Sequence, residues 1–199
     1  MVMAESNEVK ALKGKLTVLS GVLRLGHEAF RRRGATALGW HIVNNSRLVV
    51  RFDRSALVDM RGGRPRMVAA MGQAESNGNT EYALSLLRLC TFLGSRLSER
   101  TLVDETWLNG YEAPESVLEA FRYINSSMKA CIVIPLREPE SDDPDRLFLW
   151  VVEFAQEMPP NVESVIQLLA ESYNDALWSS INYRKRLFGG WFQRGKRFR

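Results

Sequence analysis

The 199 residues contain only two cysteines and two histidines. Cys90 and Cys131 stand 41 positions apart, with no C-x-x-C spacing and no histidine cluster nearby, so neither a disulfide framework nor a zinc site is supported. A reduced, cytoplasmic chain is the simplest reading. His27 and His41 both fall on predicted helices, and neither H-E-x-x-H nor G-x-S-x-G occurs. The two glycine pairs, Gly62-Gly63 and Gly189-Gly190, lack the surroundings of a phosphate loop. Asp142, Asp143 and Asp145 miss the spacing of a calcium loop and read as a solvated turn. No nucleophile, base and orienting group can be assembled, so no enzymatic activity, cofactor or metal is expected.

Long apolar runs are also missing. The longest, Cys131–Leu136 and Leu147–Val152, have six residues, whereas a membrane-crossing helix takes about 18 or more. The first sixteen residues include Glu5 and Glu8 and lack the apolar core of a secretory signal. No internal repeat is visible. Acidic residues are absent from the last sixteen positions, which hold seven of the 27 basic residues. Residues 1–183 then carry 20 basic against 23 acidic groups, a net −3, so the overall +4 comes from the tail. A general nucleic-acid-binding surface is not implied. With 45% hydrophobic and 25% charged residues, the composition suits one folded domain with extra segments.

Val9, Leu12, Leu16, Leu19, Leu23 and Phe30 follow a 3-4-3-4 spacing whose vacant position is Gly26, a heptad seam on a predicted helix. Gly14 and Gly21 weaken that helix, which therefore needs a partner surface, either its own domain or a second copy. A second helical stripe joins Ala35, Leu38, Ile42 and Val49. Residues 55–61 and 65–71 read as a hairpin across Gly62-Gly63. After a polar loop over 72–79, Asn79 or Thr80 caps a helix bearing Tyr82, Leu86, Leu89, Leu93 and Leu97. Another helix is expected between Pro114 and Lys129, through Val117, Phe121, Ile124 and Met128.

Two apolar strands follow, 130–137 and 146–154, joined by an acidic, proline-containing connection. The second carries Phe148, Trp150, Val152 and Phe154 on one face and Leu147, Leu149 and Val151 on the other, as a strand covered on both sides does. Pro135 in the first marks a bulge or an edge. Pro159-Pro160-Asn161 starts a long helix with Val162, Val165, Leu169, Tyr173, Ala176 and Tyr183 on one stripe.

This order, with the stretches Leu38–Asn45, Phe52–Val58 and Ala130–Leu136, resembles a GAF domain over about residues 25–183. It is similar to the cytoplasmic GAF-like regions that precede the membrane anchor in some bacterial membrane-fusion proteins, the periplasmic adaptors of secretion and efflux systems. The resemblance implies an α/β (α+β) fold, an antiparallel sheet with the N- and C-terminal helices on one face and a helical insert on the other. The implied organisation is an amphipathic helix at 1–33, the GAF-like domain at 34–183 and a basic aromatic tail at 184–199. The Asn-Lys…Phe…Asp-Glu pattern of cyclic-nucleotide-binding members is missing. Cys90 precedes Thr91 and Cys131 precedes Ile132, where bilin-attaching members commonly have Cys-His. The cysteine cluster of GAF-like methionine sulfoxide reductases is also missing.

By the same resemblance, a small-molecule pocket would lie between the sheet and the insert of residues 72–129. Tyr82, Trp107, Tyr111, Arg122 and Tyr123 can stack on or hydrogen-bond a ligand there; alternatively Tyr82 and Trp107 are core. In the tail, Arg184, Lys185, Arg186, Arg194, Lys196 and Arg197 alternate with aromatics including Trp191 and Phe192. That composition fits an anionic membrane surface, or the flank of a membrane helix following residue 199. Single-stranded nucleic acid and plain solvation are the other readings, and nucleic acid is the least expected. The sequence thus leads to a non-enzymatic sensory or regulatory domain, homodimeric, at the inner face of a bacterial inner membrane and associated with secretion or efflux proteins. A ligand-free interaction scaffold of the same fold is the alternative.

Overall fold

The computed structural model describes residues 7–71, 80–139, 141, 143 and 146–194, the last twelve as backbone only. In chain order come α1 (Asn7–Phe30), α2 (Ala35–Asn45), a 3-10 turn (Ser46–Leu48), β1 (Arg54–Asp59), β2 (Arg66–Ala70) and α3 (Glu81–Gly94). Then follow β3 (Thr101–Val103), α4 (Glu105–Gly110), α5 (Glu115–Asn125), β4 (Ala130–Arg137), β5 (Leu147–Phe154) and α6 (Val162–Arg194). The strands form one antiparallel sheet in the order β2-β1-β5-β4-β3.

The expected sandwich of helix, sheet and helix is present. Phe148, Trp150, Val152 and Phe154 of β5 join the core shared with α1, α2 and α6, while Leu147, Leu149 and Val151 join the core shared with α3 and α5. Every β5 residue is buried, as a central strand of alternating apolar faces requires. Gly62 and Gly63 close the first hairpin at φ of 84° and 75°, left-handed values that side chains with a Cβ resist. Thr80 caps α3, accepting from the Ala83 N–H at 3.2 Å.

Pro135 sits where its missing donor costs nothing. Glu138 N–H donates to Arg146 O at 3.1 Å, so by alternation Leu136 and Ile134 bond β5 while Pro135 faces away from it. On that outer side β3 reaches only as far as Val133, paired with Thr101, so Pro135 lies on open edge.

Several expectations change. The seam of α1 does not pack on the domain: Val9, Leu12, Leu16, Leu19, Leu23 and Phe30 are 42–66% exposed. The buried stripe is Val22, Leu25, Gly26 and Ala29 instead. Gly26 interrupts the seam because a Cβ there would stand 3.0 Å from Ser172 of α6. Four residues past α1, Gly34 N–H donates to Ser180 Oγ at 2.8 Å, so α1 and α6 run side by side in the same direction. Residues 7–17 of α1 are all exposed, an arm reaching past the start of α6.

Val49 does not continue the α2 stripe, because the helix tightens into the 3-10 turn after Asn45. The short elements β3 and α4 had no periodicity to betray them, and α5 ends at Asn125, one turn early. The buried face of α6 also includes Ile166, Leu177 and Trp178. The loop at 72–79, most of the acidic connection before Arg146 and the side chain of Tyr183 lie outside the described residues.

His41 has a structural place in α2. It is buried, with Nε2–H donating to Leu25 O at 3.0 Å, Nδ1 accepting from Asn45 Nδ2 at 2.8 Å, and Tyr173 edge-on at 6.0 Å. Burial holds its pKa below the usual value, so the ring is a neutral tie between α1 and α2.

Candidate functional site

One charged side chain interrupts the apolar β5 run, and it points into the core beneath the insert. Glu153 follows Val151 on the α3 and α5 face and is 0% exposed. An isolated carboxylate at the centre of a sheet is costly, so it must be paired. The register supplies the partner: Arg54 of β1 lies directly across from Glu153, with Nε 2.9 Å from Oε2. Tyr82, in the first turn of α3, donates its hydroxyl to the same Oε2 at 2.9 Å. The Arg54 guanidinium lies 4.9 Å from the Tyr82 ring centroid and donates to the Ile124 carbonyl at the end of α5. Two helices of the insert, α3 and α5, and two strands, β1 and β5, are thus tied at one point.

The electrostatics follow from burial. Burial pushes the Glu153 carboxyl above its usual range, while Arg54 and Tyr82 pull it down. Burial and the adjoining Glu153 charge raise the Tyr82 phenol far out of the physiological range. Glu153 Oε1 is buried and has no hydrogen-bond partner among the described residues. Such an acceptor can hold a proton, a water or an N–H or O–H group.

Cys131 lies across from Glu153 on β4, and Cys90 is on α3; both thiols are 0% exposed. Burial first, then the Glu153 charge, raises both thiol pKa values. Neither is an activated thiolate. In the native chain both are expected to resist a thiol-reactive disulfide reagent at pH 8 and to titrate as two thiols only after unfolding; prompt reaction in native buffer would refute this burial.

The five ligand candidates do not form one cluster. Tyr82 belongs to the Glu153 site. Trp107 of α4 stacks on Tyr111, ring centroids 4.3 Å apart, and Tyr111 is largely exposed. Arg122 of α5 is exposed and forks between Glu105 at 3.1 and 3.2 Å and Glu115 at 2.8 Å, joining α4 to α5. Tyr123 stands exposed on α5. The tail side chains, Arg184 to Arg197 with Trp191 and Phe192, lie outside the description, although the backbone is helical to Arg194. Arg54 and Glu153 were missed by sequence reasoning. The signal available was the lone carboxylate in Leu147–Phe154, in phase with Leu147, Leu149 and Val151. Among the described residues no group of three metal-ligating side chains is close enough to hold an ion.

Solved structures resemble this fold over most of the chain. The GAF domain of a protein assigned as a sensor histidine kinase from Pseudomonas syringae pv. tomato aligns with a TM-score of 0.55 at 12% identity, covering 94% of this chain and 99% of that one. The fold is the GAF fold. The phycocyanobilin-bound GAF domain from a cyanobacterial phytochrome aligns at 0.56 and 12% identity, over 82% of this chain and 94% of its own. The phycoerythrobilin-bound GAF domain from a cyanobacterial phytochrome gives 0.54 and 11%, over 82% and 95%. No protein-family model and no curated relative matches the chain by sequence. Within the GAF fold, the Arg54–Glu153–Tyr82 cluster lies between the sheet and the helical insert, the face where the sequence reading looked for a ligand.

Proposed function

We propose that this chain is a non-enzymatic sensory or regulatory GAF domain that works as a homodimer through α1 and α6, at the inner face of a bacterial membrane and alongside a secretion or efflux adaptor. The observation that carries the reading is the exposed seam of α1. Six large apolar side chains at heptad spacing, on a helix whose first eleven described residues are all exposed, have a use when another helix covers them. The signal would start at Glu153. Its strand, β5, bears Trp150 on the opposite face, and Trp150 meets Tyr173 of α6 edge-on at 5.5 Å. A group that engages Glu153 Oε1 shifts β5, and β5 repacks α6, which leads to the tail.

Sedimentation equilibrium tests the dimer. Wild type is expected to sediment as a dimer and Leu16→Glu/Leu23→Glu as a monomer with unchanged circular dichroism, because both side chains are solvent-facing within the protomer. A monomeric wild type at the highest soluble concentration would overturn it.

The membrane part has its own measurement. The basic aromatic tail predicts recovery with anionic vesicles and little with neutral ones, with each cation near the surface worth about 1 kcal/mol. Equal recovery with both vesicle types refutes a membrane role. The ligand-free scaffold is favoured by one observation, that the Tyr82 hydroxyl is already satisfied by Glu153.

A further inference from the structure

Two stretches far apart in sequence give one end of the fold a cationic face. Arg31, Arg32 and Arg33 follow α1, and the first hairpin reads Arg61-Gly62-Gly63-Arg64-Pro65-Arg66. We propose that Arg31, Arg32, Arg33 and Arg64 form a face of the folded domain that docks on anionic lipid headgroups. This rests on the membrane reading above and extends it from the tail to the domain itself.

Helix α6 brings the two stretches to one level. Gly34 N–H, next to Arg33, donates to Ser180 Oγ at 2.8 Å. The Arg61 guanidinium, at the base of the hairpin, lies 5.8 Å from the ring centroid of Trp178 and 4.6 Å from that of Phe148. Trp178 and Ser180 are separated by about 3 Å of helical rise, so the end of α1 and the hairpin meet α6 within one turn. From Ala35 onward α2 packs on β2, with Gly39 against Val68 and Ala69, which keeps its start beside the hairpin strand. A Cβ at Gly62 or Gly63 would meet nothing within 4 Å, so the hairpin tip stands clear of the fold.

The cations at this end divide into held and unheld. Asp59, 3% exposed, holds Arg61 at 2.7 Å and also Arg66 at 3.3 Å, and Glu138 holds Arg146 at 2.5 Å. Arg31, Arg32, Arg33 and Arg64 are exposed, and among the described residues their side chains have no ion pair or hydrogen bond. Four such groups on a body of net −3 are a local field of the opposite sign, which an anionic surface complements. The acidic connection between β4 and β5 starts and ends at the same end of the sheet, but toward β4, whereas the hairpin leads to the edge strand β2. The domain therefore meets a negative surface with its β2 edge leading. Neither Arg31–Arg33 nor the hairpin carries an aromatic residue. Single-stranded nucleic acid is held by rings that stack on its bases, while a headgroup layer asks only for point charges, so lipid is the better fit.

Flotation of the full chain with vesicles of equal parts phosphatidylglycerol and phosphatidylcholine decides the question. Arg33→Gln/Arg64→Gln removes two cations from the face. Arg47→Gln/Arg51→Gln removes two exposed cations at the far end of the domain, between α2 and β1, and leaves the same net charge. The first variant is expected to lower the partition coefficient roughly 25-fold, about fivefold for each cation lost, and the second to leave it within about twofold of wild type. Circular dichroism should match wild type in both, because all four side chains are exposed. If both variants lose binding equally, net charge alone matters, and the docking face is overturned while the membrane reading stands. If neither loses binding, the tail binds without the domain and the proposal falls in the same way. A wild type that binds these vesicles no better than pure phosphatidylcholine removes the membrane reading and the face together. Tighter binding of a mixed-sequence oligonucleotide than of the vesicles, weakened by the first variant, would assign the face to nucleic acid and overturn the proposal.

Discussion

Arg54→Ala is expected to lower stability by about 2–4 kcal/mol, read from urea unfolding; the lower part of the range for breaking a buried pair applies because the Arg54 side chain is 32% exposed. The loss comes less from the missing attraction than from what stays behind. Glu153 would remain at 0% exposure with only Tyr82 to hold it. The sign of the accompanying pH effect is fixed. The folded-state pKa of Glu153 lies above the usual value of 4.5, so its contribution is fully present below that pH and is lost as pH rises through the folded-state value. Removing Arg54 takes away the main opposing charge, so the variant should lose stability with rising pH more steeply than wild type. Arg54→Met/Glu153→Leu, which replaces both partners by apolar groups of similar size, should recover most of the loss. A loss of less than about 1 kcal/mol in Arg54→Ala would show that Glu153 is not the buried anion described here.

Trp150→Ala should cost about 3–5 kcal/mol, the range for deleting a fully buried large aromatic side chain. Trp150 is 0% exposed at the centre of β5, donates Nε1–H to Ser55 Oγ at 2.9 Å, and meets Tyr173 of α6 edge-on. Tyr173 in turn shares a hydrogen bond of 2.9 Å with Ser46 and stands against His41. The deletion therefore opens a space under α6 and unsettles the turn after α2. Amide hydrogen exchange should show α6 losing protection more than α3, which packs on the other face of the sheet. Equal loss on both faces would mean that Trp150 supports the sheet without tying it to α6. Trp150→Phe separates ring volume from the hydrogen bond, and should cost about 1–3 kcal/mol because the Ser55 hydroxyl loses its buried donor.

The layers of this fold were legible because they are written as periodicity. Leu147–Phe154 alternates two apolar faces, and the structure buries both; Gly62-Gly63 marks a hairpin turn that needs left-handed backbone. The seam of α1 was legible as a stripe but not as to what covers it, because heptad spacing specifies a face and not its neighbour. Leu25 and Ala29 hide in the same helix as a second, less conspicuous stripe. Thr101–Val103 escaped because three residues are too few to show a period. The site was half legible. Tyr82 could be named from its place on the insert, whereas its bond to Glu153 depends on β1 and β5 lying side by side, a pairing of residues about 100 positions apart that no local pattern encodes. Trp107, Tyr111, Arg122 and Tyr123 share the insert's sequence but not the cluster around Glu153, since Tyr111, just past the end of α4, and Tyr123, on the outer side of α5, are exposed.

Pro135 bears on how copies of this chain avoid meeting in the wrong way. A half-covered strand of alternating valine, isoleucine and leucine is the kind of segment on which a foreign strand can stack and seed fibrils. Beyond Val133 the outer rim of β4 offers a proline where a stacking strand would look for a donor, and then a charged residue, Arg137. The rim is thereby a poor template for strand addition in that direction.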